Sequence, residues 1–194
     1  PASTGSLFMT FYNLVDSFFA GKISPEALAA VAKSWPITFI ALAISIGIQA
    51  GTQALISNSI GAKENKTASL YVAQSIIFAI ITSFFVTSFG LNFSDELLKI
   101  MGSTQESIIL TREYLDIIFY GSIIILVQLS LNGTLSAQGD TKSYRNILIF
   151  SFFINIFLNP LFIFGYGIIP GFGIAGLAIS TLIAQSLGVF YLLY

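Results

Sequence analysis

One acidic residue, Asp16, lies in the stretch YNLVDSFFAGKI behind fifteen residues that carry no charge. An ionised carboxylate inside a membrane-spanning helix costs about 2.5–3.5 kcal/mol at the helix centre, so such an acid usually faces a cavity or a partner. Helical spacing places Tyr12, Asn13 and Asp16 on one face. The acid could bind an ion at this polar face, or it could be a solvated residue near the end of its helix.

Amide side chains form a second polar stripe further along the chain. Ser151, Asn155 and Asn159 recur every four residues, and the stripe ends at Pro160. A proline has no N–H for the carbonyl four residues earlier, at Ile156, and carbonyls freed in this way can coordinate cations in broken membrane helices. The amides could equally hold helices together, since such contacts contribute about 0.6 kcal/mol each. The pattern predicts a helix face that either packs or binds an ion.

Two further amide pairs have the same spacing, Gln49 with Gln53 and Gln128 with Asn132. Helix packing accounts for such pairs as well as a ligand site does. Taken together with the polar face around Asp16, the polar residues predict a substrate cavity. Its candidate lining residues are Tyr12, Asn13, Gln49 and Gln53.

The composition is that of a membrane protein. Hydrophobic residues make up 55% of the 194 residues and charged residues 9%, whereas about a quarter of the residues in a soluble domain are charged. The net charge of -1 and the scattered lysines and arginines provide no basic field for nucleic acid. The chain has no cysteine and no histidine, which excludes disulfides, zinc sites and histidine-based catalysis. We therefore predict neither enzyme activity nor a cofactor.

The apolar runs predict six membrane-spanning helices, since about 20 apolar residues cross a bilayer. We expect an all-α integral membrane protein that occupies residues 1–194 as one unit, in an incomplete chain that starts inside a helix. Residues 92–102 predict a short interfacial helix with Ser94 as its N-cap, and residues 103–106 predict a capping box. Basic residues in the loops at 61–66 and 138–145 predict a cytoplasmic location for both loops. The six predicted spans cover approximately residues 1–20, 28–60, 68–91, 112–138, 146–165 and 173–194.

Five short patterns follow one another along nearly all 194 residues. They are YNLVDSFFAG followed by ALAAV at 27–31, GTQALISNSIGA at 51–62, SAQGDTK at 136–142, NIFLNPLFIFG at 155–165 and GIAGLAIST at 173–181. By their order and spacing, the chain resembles the N-terminal half of the multidrug and toxic compound extrusion (MATE) family.

The resemblance implies a twelve-helix fold in which two six-helix lobes surround a central cavity, with this chain as one lobe and the second lobe as its partner. It implies that Asp16 takes part in binding H⁺ or Na⁺ and that Asn155, Asn159 and Thr181 lie nearby. A sodium ion would be held at Asp16, Asn155 and Asn159. One branch of the family has a second acid where this chain has Asn159, so Asp16 is expected to be the only titrating acid of the site. The family's first helix can bend at a proline that matches Pro1.

The function implied by the resemblance is export of small organic, often cationic, compounds across the plasma or inner cell membrane, driven by inward H⁺ or Na⁺. A carboxylate in a partly dehydrated pocket suits this role, because it can hold a proton, bind sodium or attract a cationic substrate. A lipid-linked oligosaccharide flippase of the same larger group is the alternative within transport. A flippase would need more cations in its cavity to meet pyrophosphate, and Lys33 is the one candidate inside a span. A membrane scaffold that transports nothing is a third possibility.

Overall fold

The structure is a computed structural model that describes residues 2–193 and the side chains of residues 7–192. Within that part of the chain it contains seven α-helices. The bend expected at Pro1 and the last residue of the sixth predicted span, Tyr194, lie outside the described residues. The helices are α1 (Ala2–Ile23), α2 (Pro25–Gly61), α3 (Asn65–Ile100), α4 (Gln105–Tyr120), α5 (Ser122–Ala137), α6 (Lys142–Phe164) and α7 (Ile174–Leu193).

Helix α2 begins directly after α1 at a capped N-terminus. The side chain of Ser24 accepts a hydrogen bond from the backbone N–H of Ala27 at 3.0 Å, and Pro25 occupies the first turn, where its missing N–H is not needed. The helix then runs for 37 residues and includes Pro36. At 1.5 Å per residue it is about 55 Å long, whereas the hydrocarbon core is about 30 Å thick. Helix α2 must therefore tilt or project from the membrane, as its sequence predicts.

The interfacial helix predicted at residues 92–102 is wrong as a separate element, because α3 runs through this segment without a break. Ser94 does not cap a helix. Its hydroxyl donates to the carbonyl of Gly90 at 2.5 Å, one turn earlier in the same helix. The chain leaves the helix only at Gly102, whose φ of +76° suits glycine.

The capping box predicted at residues 103–106 is displaced by one residue. Thr104 is the N-cap of α4, and its side chain accepts a hydrogen bond from the N–H of Ser107 at 3.4 Å. Ser103 cannot take this position because it still belongs to the turn that ends α3, where its N–H donates to the carbonyl of Leu98 at 3.0 Å. The sequence pattern therefore located the start of the helix correctly to within one residue.

The fourth predicted span, residues 112–138, consists of two helices that meet at Gly121 with a bend of 49°. A Cβ atom at Gly121 would lie 2.3 Å from the side chain of Leu182 on α7, so α7 packs against bare backbone at the break. On the other side, the hydroxyl of Thr87 on α3 donates to the carbonyl of Phe119 at 2.7 Å. Contacts from α3 and α7 therefore hold the bend in place. The sequence did not predict the bend, because hydrophobic periodicity along one segment carries no information about contacts with other helices.

Four of the described helices, α2, α3, α6 and α7, are each long and apolar enough to cross a membrane, and the bent pair α4–α5 adds a fifth span when counted as one. Helix α1 is 22 residues long and packs against α6 and α2. The arrangement agrees in outline with a six-helix lobe. The predicted all-helical membrane fold is confirmed.

Helix α5 lies at the centre of the fold, in contact with α2, α3 and α7. All side chains from residue 128 to residue 134 are buried. A Cβ atom at Gly133 would lie 2.6 Å from the carbonyl oxygen of Gln49, so α2 and α5 approach each other closely. The outer faces instead carry large exposed phenylalanines, including Phe84, Phe85 and Phe157 at 68, 71 and 74% exposure. Such an apolar exterior fits a hydrocarbon environment.

Candidate functional site

Asp16 is held in a hydrogen-bonded cluster formed by α1, α6 and α7. Only 7% of the residue is exposed. Its Oδ1 accepts a hydrogen bond from Nδ2 of Asn159 at 3.0 Å, and its Oδ2 accepts one from Oγ1 of Thr181 at 3.3 Å. Each carboxylate oxygen thus has a donor from a different helix, which is how a protein stabilises a charge withdrawn from water.

A second layer of polar side chains lies behind Asp16, and its two amides, Asn155 and Asn159, are fully buried. Nδ2 of Asn159 also donates to Oδ1 of Asn155 at 2.8 Å, and Nδ2 of Asn155 donates to the hydroxyl of Tyr12 at 3.0 Å. The hydroxyl of Ser180 donates to Oδ1 of Asn159. The amide oxygen of Asn159 is therefore directed at Ser180, whereas its NH₂ group is directed at Asp16.

Helical spacing positions the members of this cluster within each helix. Tyr12 and Asp16 are four residues apart on α1, and Asn155 and Asn159 are four residues apart on α6, so each pair lies on one helix face. The stripe predicted on α6 is therefore a buried face of that helix. Ser151 lies on the same face, one turn before Asn155, and its hydroxyl donates a hydrogen bond to the carbonyl of Ala184 on α7 at 3.2 Å.

The loop between α6 and α7 brings the third helix to the site. The N–H of Phe172 donates to the carbonyl of Phe162 at 2.8 Å, so the chain folds back along α6. A Cβ atom at Gly176 would lie 2.2 Å from the same carbonyl oxygen, and only glycine allows α7 to pack this closely. This close contact places Ser180 and Thr181 opposite Asn159 and Asp16.

Asp16 also lies on the wall of an open cavity of about 330 Å³ that is lined by residues of α1, α2, α4, α5, α6 and α7. Asp16 is the only charged side chain among the described residues that line it. The cavity wall is mostly apolar, with several aromatic rings. These rings belong to Phe8, Tyr12, Trp35, Phe39, Tyr114, Phe119 and Tyr144. A few fixed polar groups in an apolar, aromatic cavity are typical of a small-molecule site.

The structure places three of the four predicted cavity residues, Tyr12, Asn13 and Gln49, on the cavity wall. Gln53 is not among the described lining residues of this cavity. It lies one turn further along α2 than Gln49, and its assignment to the substrate cavity stays a prediction. Thr181 also lines the cavity, whereas Asn155 and Asn159 support Asp16 from behind. Ion binding by these residues stays a prediction.

Three polar residues of the site were missed by the sequence reasoning. Ser180 immediately precedes Thr181 in the motif GIAGLAIST, and Gln185 lies one helical turn after Thr181. The same spacing argument that grouped Tyr12 with Asp16 could have found Gln185. Tyr114 lies on α4, far from the motifs along the chain, and only the packing of α4 brings it to the cavity.

The remaining internal charges are engaged elsewhere. Arg112 forms ion pairs with Asp116 at 2.9 Å and with Asp95 at 3.4 Å, and so ties α4 to the end of α3. Nζ of Lys33 donates to the hydroxyl of Ser107 at 2.9 Å. None of these side chains lines the cavity. Among the described residues, no group of three or more histidine, cysteine, aspartate and glutamate side chains could hold a metal ion.

The chain is similar in sequence to known transporters. It is 30% identical over 182 residues to the FAD transporter of Shewanella oneidensis. This match covers 94% of this chain and 40% of that protein. It is 27% identical over 195 residues to the probable multidrug resistance protein NorM of Thermotoga maritima, and this match covers 42% of that protein. The chain thus spans about 40% of the length of these curated relatives.

Solved structures agree with the sequence relatives. The crystal structure of MATE in the bent conformation superposes on 98% of this chain with a TM-score of 0.90 at 30% identity, and the match covers 42% of that chain. A transporter of the MOP superfamily from Pyrococcus furiosus, whose binding pocket is described as reversed in polarity, superposes with a TM-score of 0.88 at 29% identity. Residues 1–161 match the family model described as MatE. With the helical lobe, the buried acid and these relatives in agreement, the chain belongs to the MatE family of multi-pass membrane transporters.

Proposed function

We propose that this chain is the N-terminal lobe of a secondary antiporter that exports small organic, often cationic, compounds in exchange for inward H⁺ or Na⁺. The observation that carries the proposal is the position of Asp16, a buried carboxylate on the wall of an aromatic cavity whose other described lining residues are uncharged. Such a group attracts a cation into a space that is large enough for part of an organic molecule. The two kinds of cation then compete for one negative charge.

This competition couples the two transport directions. Both oxygens of Asp16 accept hydrogen bonds from α6 and α7, so a proton or cation that neutralises the carboxylate weakens these charge-assisted contacts. A ligand that binds one arrangement of the three helices better than another shifts the population toward that arrangement. Ion arrival thereby favours a state with lower affinity for the organic cation, and the substrate is released.

Whether Asp16 binds H⁺ or Na⁺ depends on how many oxygen ligands the neighbouring groups can direct at the ion. A proton needs only one free lone pair on Asp16. A sodium ion needs several oxygen ligands, and Oδ1 of Asn159 now accepts from Ser180 and from Nδ2 of Asn155. Sodium binding at Asp16, Asn155 and Asn159 would require the Asn159 amide to turn its oxygen toward the carboxylate.

A second lobe completes the proposed transporter. The relatives are more than twice as long as this chain, and the chain aligns with about 40% of their length. We propose a six-helix partner lobe that closes the cavity on the exposed side, within the plasma or inner cell membrane. The ion gradient supplies the energy, so neither an enzymatic step nor a cofactor is needed.

Transport of an anionic compound is the second candidate, because one relative is a transporter of FAD. The same consideration applies to a lipid-linked oligosaccharide, which carries a pyrophosphate. Anionic substrates call for cationic groups in the cavity, yet none of the described lining residues is lysine or arginine. Lys33, the candidate within a span, is bonded to Ser107 instead. The charge of this lobe therefore favours cationic substrates.

The test is export from lipid vesicles that contain the complete transporter. Proton and sodium gradients are imposed separately. Export of a fluorescent organic cation, of a flavin dinucleotide and of a neutral dye is followed in parallel. The proposal predicts export of the cation under one of the two gradients. If neither gradient drives movement of any compound, the antiporter proposal fails and a scaffold role gains support.

A further inference from the structure

The cavity has a second polar region that the proposed ion site does not include. We call it the amide face, and it consists of Gln49 on α2, Gln128 on α5 and Gln185 on α7. The atom Oε1 of Gln185 is buried and accepts no hydrogen bond from any described residue. A buried acceptor without a donor is unfavourable. This part of the wall therefore has hydrogen-bonding capacity that the protein leaves unused.

Two of the three amides converge on one segment of α7. Nε2 of Gln128 lies 2.9 Å from the point that a Cβ atom on Gly188 would occupy, and Gly188 is three residues from Gln185. The hydroxyl of Ser151 lies 3.8 Å from the same point and also lines the cavity. The glycine thus leaves room for the side chain of Gln128 beside α7. Gln128 and Ser151 therefore lie beside the segment of α7 that carries Gln185, and the three side chains form one polar group on the cavity wall.

This group lies one helical turn from the Asp16 site on two helices. On α7, Gln185 follows Thr181 by four residues, and on α6, Ser151 precedes Asn155 by four residues. Four residues correspond to about 6 Å along a helix. The cavity wall therefore presents a negative charge at one level and neutral hydrogen-bonding groups about 6 Å further along.

We propose that Gln185, with Gln128 nearby on the same wall, is a binding subsite for substrates that carry an N–H or O–H donor one helical turn from the cationic group bound near Asp16. The inference rests on the proposed function and deepens it by naming the substrate class. The terminal torsion of a glutamine is soft, so the Gln185 amide can turn its oxygen toward the cavity when a donor arrives. Pairing with the substrate then removes an unsatisfied acceptor, which makes the donor a determinant of specificity.

The experiment uses the complete transporter in vesicles and two organic cations. Ethidium carries two aromatic NH₂ groups, whereas tetraphenylphosphonium has no hydrogen-bond donor. Changing Gln185→Met keeps the size of the side chain and removes its amide. We expect the KM for ethidium to rise about three- to tenfold, the usual range for loss of one hydrogen bond. The KM for tetraphenylphosphonium should stay unchanged, and its export also reports that the variant is folded.

Two further variants sharpen the result. Gln128→Met should raise the KM for ethidium in the same direction and leave tetraphenylphosphonium unaffected. Gln53→Met is the matched control, because Gln53 carries the same amide on α2 but lies off the cavity wall. An equal loss for both cations in Gln185→Met, or no change for ethidium, overturns the inference while the antiporter proposal stands. If the unaltered transporter exports neither cation under any gradient, the proposed function fails and the inference with it.

Discussion

Nδ2 of Asn159 donates a hydrogen bond to Oδ1 of Asp16 at 3.0 Å, across 143 residues of sequence. The bond joins α1 to α6 at Asp16, the one charged side chain among the described residues of the cavity wall. One branch of the family that the chain resembles has an acid at the position of Asn159, whereas this chain has an amide donor there. In the proposed function a single negative charge is shared between ion and substrate, and the predictions below follow from this arrangement and from the packing that supports it.

Replacing Asp16→Asn should abolish ion-driven export and leave the protein folded. The amide preserves the size of the side chain but can neither bind a proton at neutral pH nor attract a cation. Export is measured in vesicles under the gradient that drives the unaltered transporter, with expression and monodispersity as checks. Glu96→Gln is the control, since it removes an exposed carboxylate on α3. Normal export by a well-expressed Asp16→Asn variant would refute the assigned role.

Replacing Asn159→Asp should create a pair of carboxylates that demands a second cation. The new acid would lie about as far from Asp16 as the amide does now, at 3.0 Å. Two negative charges this close repel each other strongly unless one binds a proton or a sodium ion. We expect the thermal midpoint to rise with added NaCl or with acidification more steeply than in the unaltered protein. Asn58→Asp, at an exposed position on α2, should show no such dependence.

Replacing Gly176→Ala should weaken the contact between α6 and α7. The added Cβ would lie 2.2 Å from the carbonyl oxygen of Phe162, which is backbone and cannot move without displacing the helix. Overpacking of this kind costs about 1–3 kcal/mol. Gly47→Ala is the matched control, because nothing lies within 4 Å of its Cβ position. Equal thermal midpoints for the two variants would contradict the packing described.

Replacing Thr87→Val should destabilise the bend between α4 and α5. The valine is nearly isosteric but leaves the carbonyl of Phe119 without its 2.7 Å hydrogen bond, and also ends the 2.9 Å contact with the hydroxyl of Ser122. Loss of one intramolecular hydrogen bond costs about 0.5–1.5 kcal/mol. Thermal unfolding in detergent measures the loss. Thr87→Ser retains the hydroxyl and should recover most of the stability; if it is as unstable as valine, the hydrogen bond is not the cause.

Acidification should loosen the start of α6 through Asp140. The hydroxyl and N–H of Ser143 donate to this carboxylate at 2.5 and 3.1 Å, and they hold the pKa of Asp140 below its usual 3.8. A lowered pKa in the folded state means that the carboxylate adds stability above pH 3.8 and that this contribution is lost as the pH falls through the lowered value. The protection factors of the backbone amides of residues 142–146, which correct for the pH dependence of intrinsic exchange, should fall only below about pH 4. In Ser143→Ala they should be lower already at pH 7.

The membrane class and the main polar residues could be predicted because they depend on local patterns. Apolar runs report spans directly, and four-residue spacing placed Asn155 and Asn159 on one face of α6, as the structure has them. The same rule grouped Gln53 with Gln49, and of these two only Gln49 is among the described residues that line this cavity, since a helix face extends beyond the cavity that it borders. The bend at Gly121 was missed because hydrophobic periodicity continues through it.

The sequence by itself determined that the chain spans a membrane, that one acid lies on a polar helix face and that the patterns resemble one transporter family. Only the tertiary structure decided which helices meet at that acid. Spacing along one helix is fixed by 3.6 residues per turn, but the approach of α6 and α7 depends on Gly176 and on the loop that folds Phe172 back onto Phe162. That approach supplies Thr181 to Asp16 and leaves Oε1 of Gln185 without a donor among the described residues.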